Sequence, residues 1–431
     1  MLGEVGVRFS TRGVAVCKSL RLPGFVGLWV VGFSVACSAD DLRPVPLTAK
    51  DSHVQPMTGI VLWTTNEEAR TAPIQLEYSY LRYDQVVREK GQYDWTAVEK
   101  LLDAVAGRKH QAVLRWHDTY VGRPTGVPAY IKALPDYRET VADSEKRRTG
   151  FPDWSHPELR GFVLEFFGRF AEKYDRDPRL AFLEVGFGLW AEYHIYDGPM
   201  ELGKTFPSIE FQREFALRLG EAFRHTPWMV SVDAAGDHSP FAADEKVLAL
   251  PFGLFDDSFN HAQHAKWNEP NWDRLGRDRW KLAPAGGEFS FFEPKDQKEA
   301  LSATGPHGVP FERHAAKFHV SFIIGDGQPR YQTAERIRDA GLACGYRFRV
   351  TRFESSASRS VVTIRNTGIA PIYHDAFPTV NDVRARESLK GLLPEQERTF
   401  EIAAGGTAPA LTIESDRLVP GQRIGFEAEL P

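Results

Sequence analysis

Residues 180–194 read LAFLEVGFGLWAEYH. The run 180–185 is almost continuously apolar, the mark of a strand buried on both faces, as in a parallel sheet. Gly186 and Gly188 interrupt it, and Trp190, Glu192, Tyr193 and His194 follow. Strand, glycines, then a polar and aromatic cluster: that order predicts a strand delivering side chains to an opening. Residues 280–288, WKLAPAGGE, repeat it and again end on a glutamate, Glu288.

Working outward, eight segments read as strands: 58–63, 75–82, 111–116, 180–187, 228–233, 253–257, 281–288 and 318–324. Helical patterns at 95–108, 157–174, 211–223, 243–250, 311–317 and 331–343, or long loops, separate them. Alternating strands and helices imply a parallel sheet, and eight units imply an α/β chain with a closed (β/α)8 TIM barrel over 58–345. Polar groups gather where these strands end: Trp63, Arg82, the run Arg115-Trp116-His117-Asp118, Glu192, Asp233, Asp256-Asp257 and Glu288. That is the functional face of such a barrel. Glu184 lies inside the fourth strand and is expected to be a buried partner for a barrel arginine. The segment 119–155 is long and rich in proline, but Tyr120, Tyr130, Tyr137 and Trp154 argue for order, which makes it a functional loop.

After Gly345 short alternating strands (346–354, 360–366, 399–402, 423–429) with Gly, Pro and Asn turns predict a small antiparallel β-sandwich over 346–431. Residues 40–57 are polar and contain proline, and read as a linker. Ahead of them Arg8, Arg12, Lys18 and Arg21 precede an apolar run, 22–35, and the small residues Ala36-Cys37-Ser38-Ala39. The run is shorter than the ~20 residues that span a bilayer. The pattern predicts a secretory signal peptide, 1–39, and hence a secreted or periplasmic protein. Val35-Ala36-Cys37 is also close to a lipobox, with Ser34 where Leu is usual, so a lipid anchor at Cys37 on the bacterial cell surface is the alternative.

The totals set limits. A chain of 431 residues exceeds the ~250–300 that one core supports, as a barrel plus a smaller domain requires. Aromatics make up 12%, with ten Trp, which suits either a sugar-binding cleft or a large aromatic core. A formal net charge of −5 without a basic stripe gives no nucleic-acid signature. Three cysteines allow no disulfide framework. There is no HExxH, phosphate loop, GxSxG elbow or strand-linked GxGxxG, so no cofactor is implied. A metal held by Asp233, Asp256, Asp257 and His261 is the weaker alternative.

Two carboxylates across a cleft can cleave a glycosidic bond, one protonating the leaving oxygen and the other attacking the anomeric carbon or activating water. Strands four and seven lie across a barrel mouth from each other, which makes Glu192 and Glu288 the candidate pair. Trp63, Trp116 and Trp190 are candidate stacking platforms, each otherwise a core cap. Arg82 or Arg115 would hold a carboxylate charged, or serve as a structural ion pair. His117, Asp118, Tyr193, His194, Asp233 and Asp257 complete the candidate substrate-binding set, with His194 also placed to tune Glu192.

Residues 80–115, YLRYDQVVREKGQYDWTAVEKLLDAVAGRKHQAVLR, resemble the early barrel of clan A glycoside hydrolases, particularly β-galactosidase-like ones. Arg82 and Gly91-Gln-Tyr-Asp-Trp95 match a motif there, with Lys90 replacing the usual Pro. The fuller pattern adds 151–160 (FPDWSHPELR), 173–194 and Gly286-Gly287-Glu288. It resembles a bacterial group in which the barrel precedes a domain known as domain of unknown function 4832, over most of 58–431. The resemblance implies Glu192 as acid/base and Glu288 as nucleophile. It also implies an Asn before the acid/base, where this chain has Ala191. Two readings follow: a secreted, retaining glycoside hydrolase acting on an oligo- or polysaccharide, or a cell-surface protein that binds glycans without cleaving them.

Overall fold

The computed structural model describes residues 41–431. The expected signal peptide and Cys37 lie outside the described residues. Eight parallel strands close a barrel: Gly59–Trp63, Leu76–Arg82, Gln111–His117, Leu180–Glu184, Trp228–Ser231, Gly253–Phe259, Ala285–Phe289 and Phe322–Ile324. They are called strands one to eight. Each pairs with its sequence neighbours, and strand eight closes on strand one through Phe322 opposite Gly59. All eight expected strands are present, two of them starting four residues later than expected. Residues 279–281 form a 3-10 turn before strand seven, and Phe318 ends the helix Phe311–Phe318 rather than opening strand eight.

Side chains alternate across a strand, so each strand feeds two cores. Val61, Tyr78, Val113, Phe182, Met229, Phe255 and Phe322 fill the barrel interior. Leu62, Leu114, Leu183 and Leu254 point outward under the helices. The helix Pro157–Tyr174 shows why these helices dock. His156 caps it by accepting from the Glu158 N–H, Pro157 opens it, and Phe162, Phe166, Phe167 and Phe170 line its buried side. Phe166 is an aromatic hub, with ring centres 4.7 Å from Trp116, 4.8 Å from Tyr83 and 5.7 Å from Trp95. The helix Ala265–Leu275 was not legible, because Pro270 sits inside it and its sequence is polar.

The C-terminal part is a second, smaller core between two sheets. One sheet runs Glu397–Ile402, Ser360–Asn366, Phe348–Ser355, Phe426–Leu430, Leu47–Ala49; the other runs Val383–Arg384, Phe377–Val380, Leu411–Glu414. All pairs are antiparallel except Phe348–Ser355 with Phe426–Leu430. The segment 40–57, read as a linker, contributes Leu47–Ala49 and Arg43–Pro44 to this sheet, and Leu47 stands opposite Leu430. The C-terminal part also seals the barrel base. His374 stacks on Phe182 at 5.9 Å, and the Arg417 guanidinium donates to the carbonyls of Asp175 (3.1 Å) and Leu180 (2.8 Å).

The loop 119–155 is ordered, with a short helix, Ala129–Lys132, and a hairpin of Thr140–Ser144 and Arg147–Phe151. Among the described residues no helix is long and apolar enough to cross a membrane. Phe166→Ala should cost about 3–5 kcal/mol, the usual range for emptying a buried aromatic site. The shift in urea midpoint at unchanged slope measures it.

Candidate active site

At the C-terminal mouth of the barrel a cleft of about 920 Å³ opens. Arg115 lies under it with no exposed surface, on strand three, facing inward where Trp116 faces outward. Its Nε donates to Glu184 (2.7 Å), and its Nη1 to Glu192 (2.5 Å) and to the Tyr80 hydroxyl (3.1 Å). Glu288, at the end of strand seven, stands 3.9 Å from the same Nη1. The guanidinium rests 4.3 Å from the Phe255 ring centre. Glu184 is thus the structural partner expected for a barrel arginine.

Glu192 does not sit on the strand. Strand four ends at Glu184, and the chain then folds back on itself. Leu189 N–H donates to His194 O, and Tyr193 N–H to Phe187 O, both at 2.9 Å. Gly186 and Gly188 permit this approach: a Cβ on Gly186 would stand 2.0 Å from the Ala191 carbonyl oxygen, and one on Gly188 2.4 Å from that of His194. Trp190, Ala191 and Tyr193 take φ of 54°, 62° and 62°, in the left-handed region that costs L-residues energy. The loop spends that strain to turn Glu192 back over Arg115. Ala191 is buried and does not line the cleft.

One cation cannot neutralise so many buried acids. Glu184, Glu192, Glu288 and Asp257 all have raised pKa values, burial first among the causes. Glu288 is pushed up to about 7 by burial, against the pull of Arg115. Glu192 is raised well above the usual carboxylate range by burial, with Asp257 and Glu288 adding to it. The two glutamates share the Arg115 Nη1 and influence each other's titration, and burial with the neighbouring acids favours the protonated form of Glu192. His194 binds Asp233 through Nδ1 at 2.7 Å and turns Nε2 toward Glu192 at 3.7 Å. Burial disfavours its charge, but Asp233 and Asp257 outweigh that and raise its pKa.

Of the residues singled out in the sequence, Trp63, Trp190, Glu192, His194, Asp233, Asp257 and Glu288 line the cleft, with Arg115 beneath. Five do not. Arg82 turns away to pair with Asp84 at 3.0 Å. Trp116 is buried outside the barrel, stacked on Tyr83 at 5.9 Å. Tyr193 packs on Phe187 and Phe241. His117 is buried edge-on to Tyr80, its pKa pushed down to about 3 by burial and by Arg82, Arg123 and Arg115. Asp118 is buried and accepts from Thr119 Oγ1 at 2.7 Å, and burial pushes it up to about 7. Once Arg115 faces in, strand alternation alone sends Trp116 out.

The cleft also recruits residues that sequence reasoning missed. Tyr80 shares the inward face with Tyr78, a period-two signal visible in strand two. Tyr120, Tyr196 and Phe291-Phe292 come from loops and Trp267 from the first turn of the helix Ala265–Leu275, and none carries such a signal. The metal set considered from sequence does not assemble: Asp256 accepts from Asn268 at 2.6 Å and from the Ser258 N–H at 2.9 Å, and His261 lies with Asp296 and His307. Among the described residues two groups have three ligand-type side chains within 4.8 Å: Glu192, His194 and Asp257, and His261, Asp296 and His307.

No family model and no curated protein sequence matches the chain. Solved structures do. An endo-glycoceramidase II from Rhodococcus sp. aligns over 82% of this chain and 100% of its own, at 11% identity and TM-score 0.42. A GH5-4 broad-specificity endoglucanase from an uncultured bacterium aligns over 68% and 91%, at 11% identity and TM-score 0.38. A GH36 α-galactosidase from Geobacillus stearothermophilus aligns over 83% of this chain, which spans 57% of that one, at 10% identity and TM-score 0.39.

Arg115→Met should destabilise the fold by about 3–5 kcal/mol, because it strands a buried carboxylate. Adding Glu184→Leu should return part of that loss, since the unpaired charge is what costs. Urea unfolding of the single and double variants measures both.

Proposed function

We propose that this protein is a retaining glycoside hydrolase acting on an oligo- or polysaccharide. The observation that carries the reading is the pair Glu192 and Glu288, gathered over one shared arginine beneath an aromatic cleft. Both lie close to the same Nη1, at 2.5 and 3.9 Å, an arrangement that suits the ~5–5.5 Å separation of retaining pairs. That favours the retaining geometry.

In this reading protonated Glu192 gives its proton to the glycosidic oxygen as that bond breaks. The Glu288 carboxylate attacks the anomeric carbon and forms a glycosyl ester. Glu192, now ionised, takes a proton from water, and the water oxygen displaces Glu288. Burial and the neighbouring acids favour the protonated form of Glu192 at the start. Arg115 pulls the other way, but Glu184 already offsets its charge. Trp63, Trp190, Tyr196 and Trp267 offer flat faces to sugar rings.

A broad glycan screen with product analysis identifies the substrate. On it, Glu192→Gln should lower kcat by about 10²–10⁴-fold, as expected for a lost general acid. Glu288→Gln should lower it at least as far, with circular dichroism unchanged in both. Wild-type turnover in either variant would sink the assignment; tight glycan binding without cleavage by the wild type would instead identify a binding barrel.

The pH profile has a sign. Glu288 acts as a carboxylate and is pushed up to about 7, so kcat/KM should fall as pH drops through about 7. Glu192 must keep its proton, so activity should fall again on the alkaline side. A profile still flat at pH 5 would contradict this pairing of roles.

A further inference from the structure

A second cluster lies beside the cleft, on three segments distant in sequence. His261 follows strand six, Asp296 stands in the first turn of the helix Pro294–Lys298, and His307 belongs to the loop before the helix Phe311–Phe318. Their ligand-type atoms all lie within 4.8 Å of one another. His307 Nε2 is 2.8 Å from Asp296 Oδ1, and His261 Nε2 is 3.7 Å from Asp296 Oδ2. The ligand atoms of a tetrahedral zinc at ~2.0–2.1 Å stand roughly 3.4 Å apart, between those two distances.

His261 is only 2% exposed, and its Nε2 has no hydrogen-bond partner. The 3.7 Å gap to Asp296 is too long for a hydrogen bond. A polar nitrogen buried without a partner in this way is costly. A plain His307–Asp296 hydrogen bond accounts for those two residues but leaves His261 aimed into the cluster for no return. The carboxylate is also held as metal ligands usually are: Asp296 Oδ2 accepts from Ser290 Oγ at 2.8 Å and from the Glu293 N–H at 3.0 Å.

We propose that His261, Asp296 and His307 bind a divalent cation of the zinc class. Two imidazoles and one carboxylate are a borderline donor set that suits zinc better than calcium or magnesium. His307 lies at the rim, which leaves the fourth position to water. Coordination through His261 Nε2 puts the ring proton on Nδ1, and so gives up the 3.2 Å contact that Nδ1 accepts from the His264 N–H. The ion ties the loops after strands six and seven together. Ser290, Phe291, Phe292 and His264, which line one wall of the cleft, hang from those loops. The site shares no ligand with the glutamate pair and stands whether or not the barrel cleaves glycans.

The test is zinc uptake by the full chain. The purified protein is stripped with a chelator, dialysed, titrated with zinc chloride and assayed for bound metal by mass spectrometry. Cobalt(II) in parallel reports geometry through its visible absorption. One equivalent should bind, with tetrahedral cobalt bands. His261→Gln and His307→Gln should each weaken binding by more than the ~10–100-fold that losing a supporting partner costs. Asp257→Asn should leave it unchanged. Zinc should raise the unfolding midpoint of the wild type but of neither His variant. Because His307 is at the rim, His307→Gln remains informative even if His261→Gln folds poorly. No uptake by the wild type, uptake indifferent to His307→Gln, or uptake abolished by Asp257→Asn would each overturn the site.

Discussion

One buried charge organises the mouth of this barrel. Arg115 has no exposed surface, and a guanidinium cannot shed its proton, so the surroundings must meet its charge. Glu184 does so from the neighbouring strand, and Glu192, on the loop beyond it, accepts a hydrogen bond from the same guanidinium. Glu288 then arrives with no cation of its own. The result is an excess of acid over base in a dry place, and a proton must fill the difference. A carboxyl that keeps its proton at the barrel mouth is therefore a consequence of charge balance around one arginine, and the folded-back loop that brings Glu192 to it is the means.

The barrel was legible because its strands are apolar runs at regular intervals, a signal that burial on both faces imposes. The site was legible only in part. Residues on strands obey a period of two, so Arg115 and Tyr80 face in and Trp116 faces out. Residues on the loop after strand four obey no period. There, left-handed backbone at Trp190, Ala191 and Tyr193 sends Glu192 and His194 to the cleft but buries Tyr193. The glycines mark that something unusual happens, without saying which side chains profit. The linker reading of 40–57 failed for a different reason: two- and three-residue strands carry too little pattern to detect, and their pairing partners lie hundreds of residues away.

The two cores of the molecule are not independent. The base of the barrel would expose strand ends and the carbonyls of Asp175 and Leu180, and Arg417 of the C-terminal part satisfies them. Gln111 Nε2 donates to the Arg417 carbonyl at 2.7 Å and closes the same seam from the barrel side. Buried acids gather at one end of the barrel and stabilising polar contacts at the other.

The pairing of Leu47 with Leu430 has a consequence for how the chain comes to be folded. In sequence the barrel is an insertion between the first and last strands of one sheet. During synthesis the segment around Leu47 emerges before the barrel, yet its hydrogen-bonding neighbour, Phe426–Leu430, emerges only after the whole barrel has. The barrel can assemble in the meantime, but the sheet beneath it cannot close. Until then a short edge waits unpaired, and closing so long a loop makes this the slow, non-local step. Domain order along the ribosome and domain order in folding therefore differ: the sheet that begins before the barrel is completed after it.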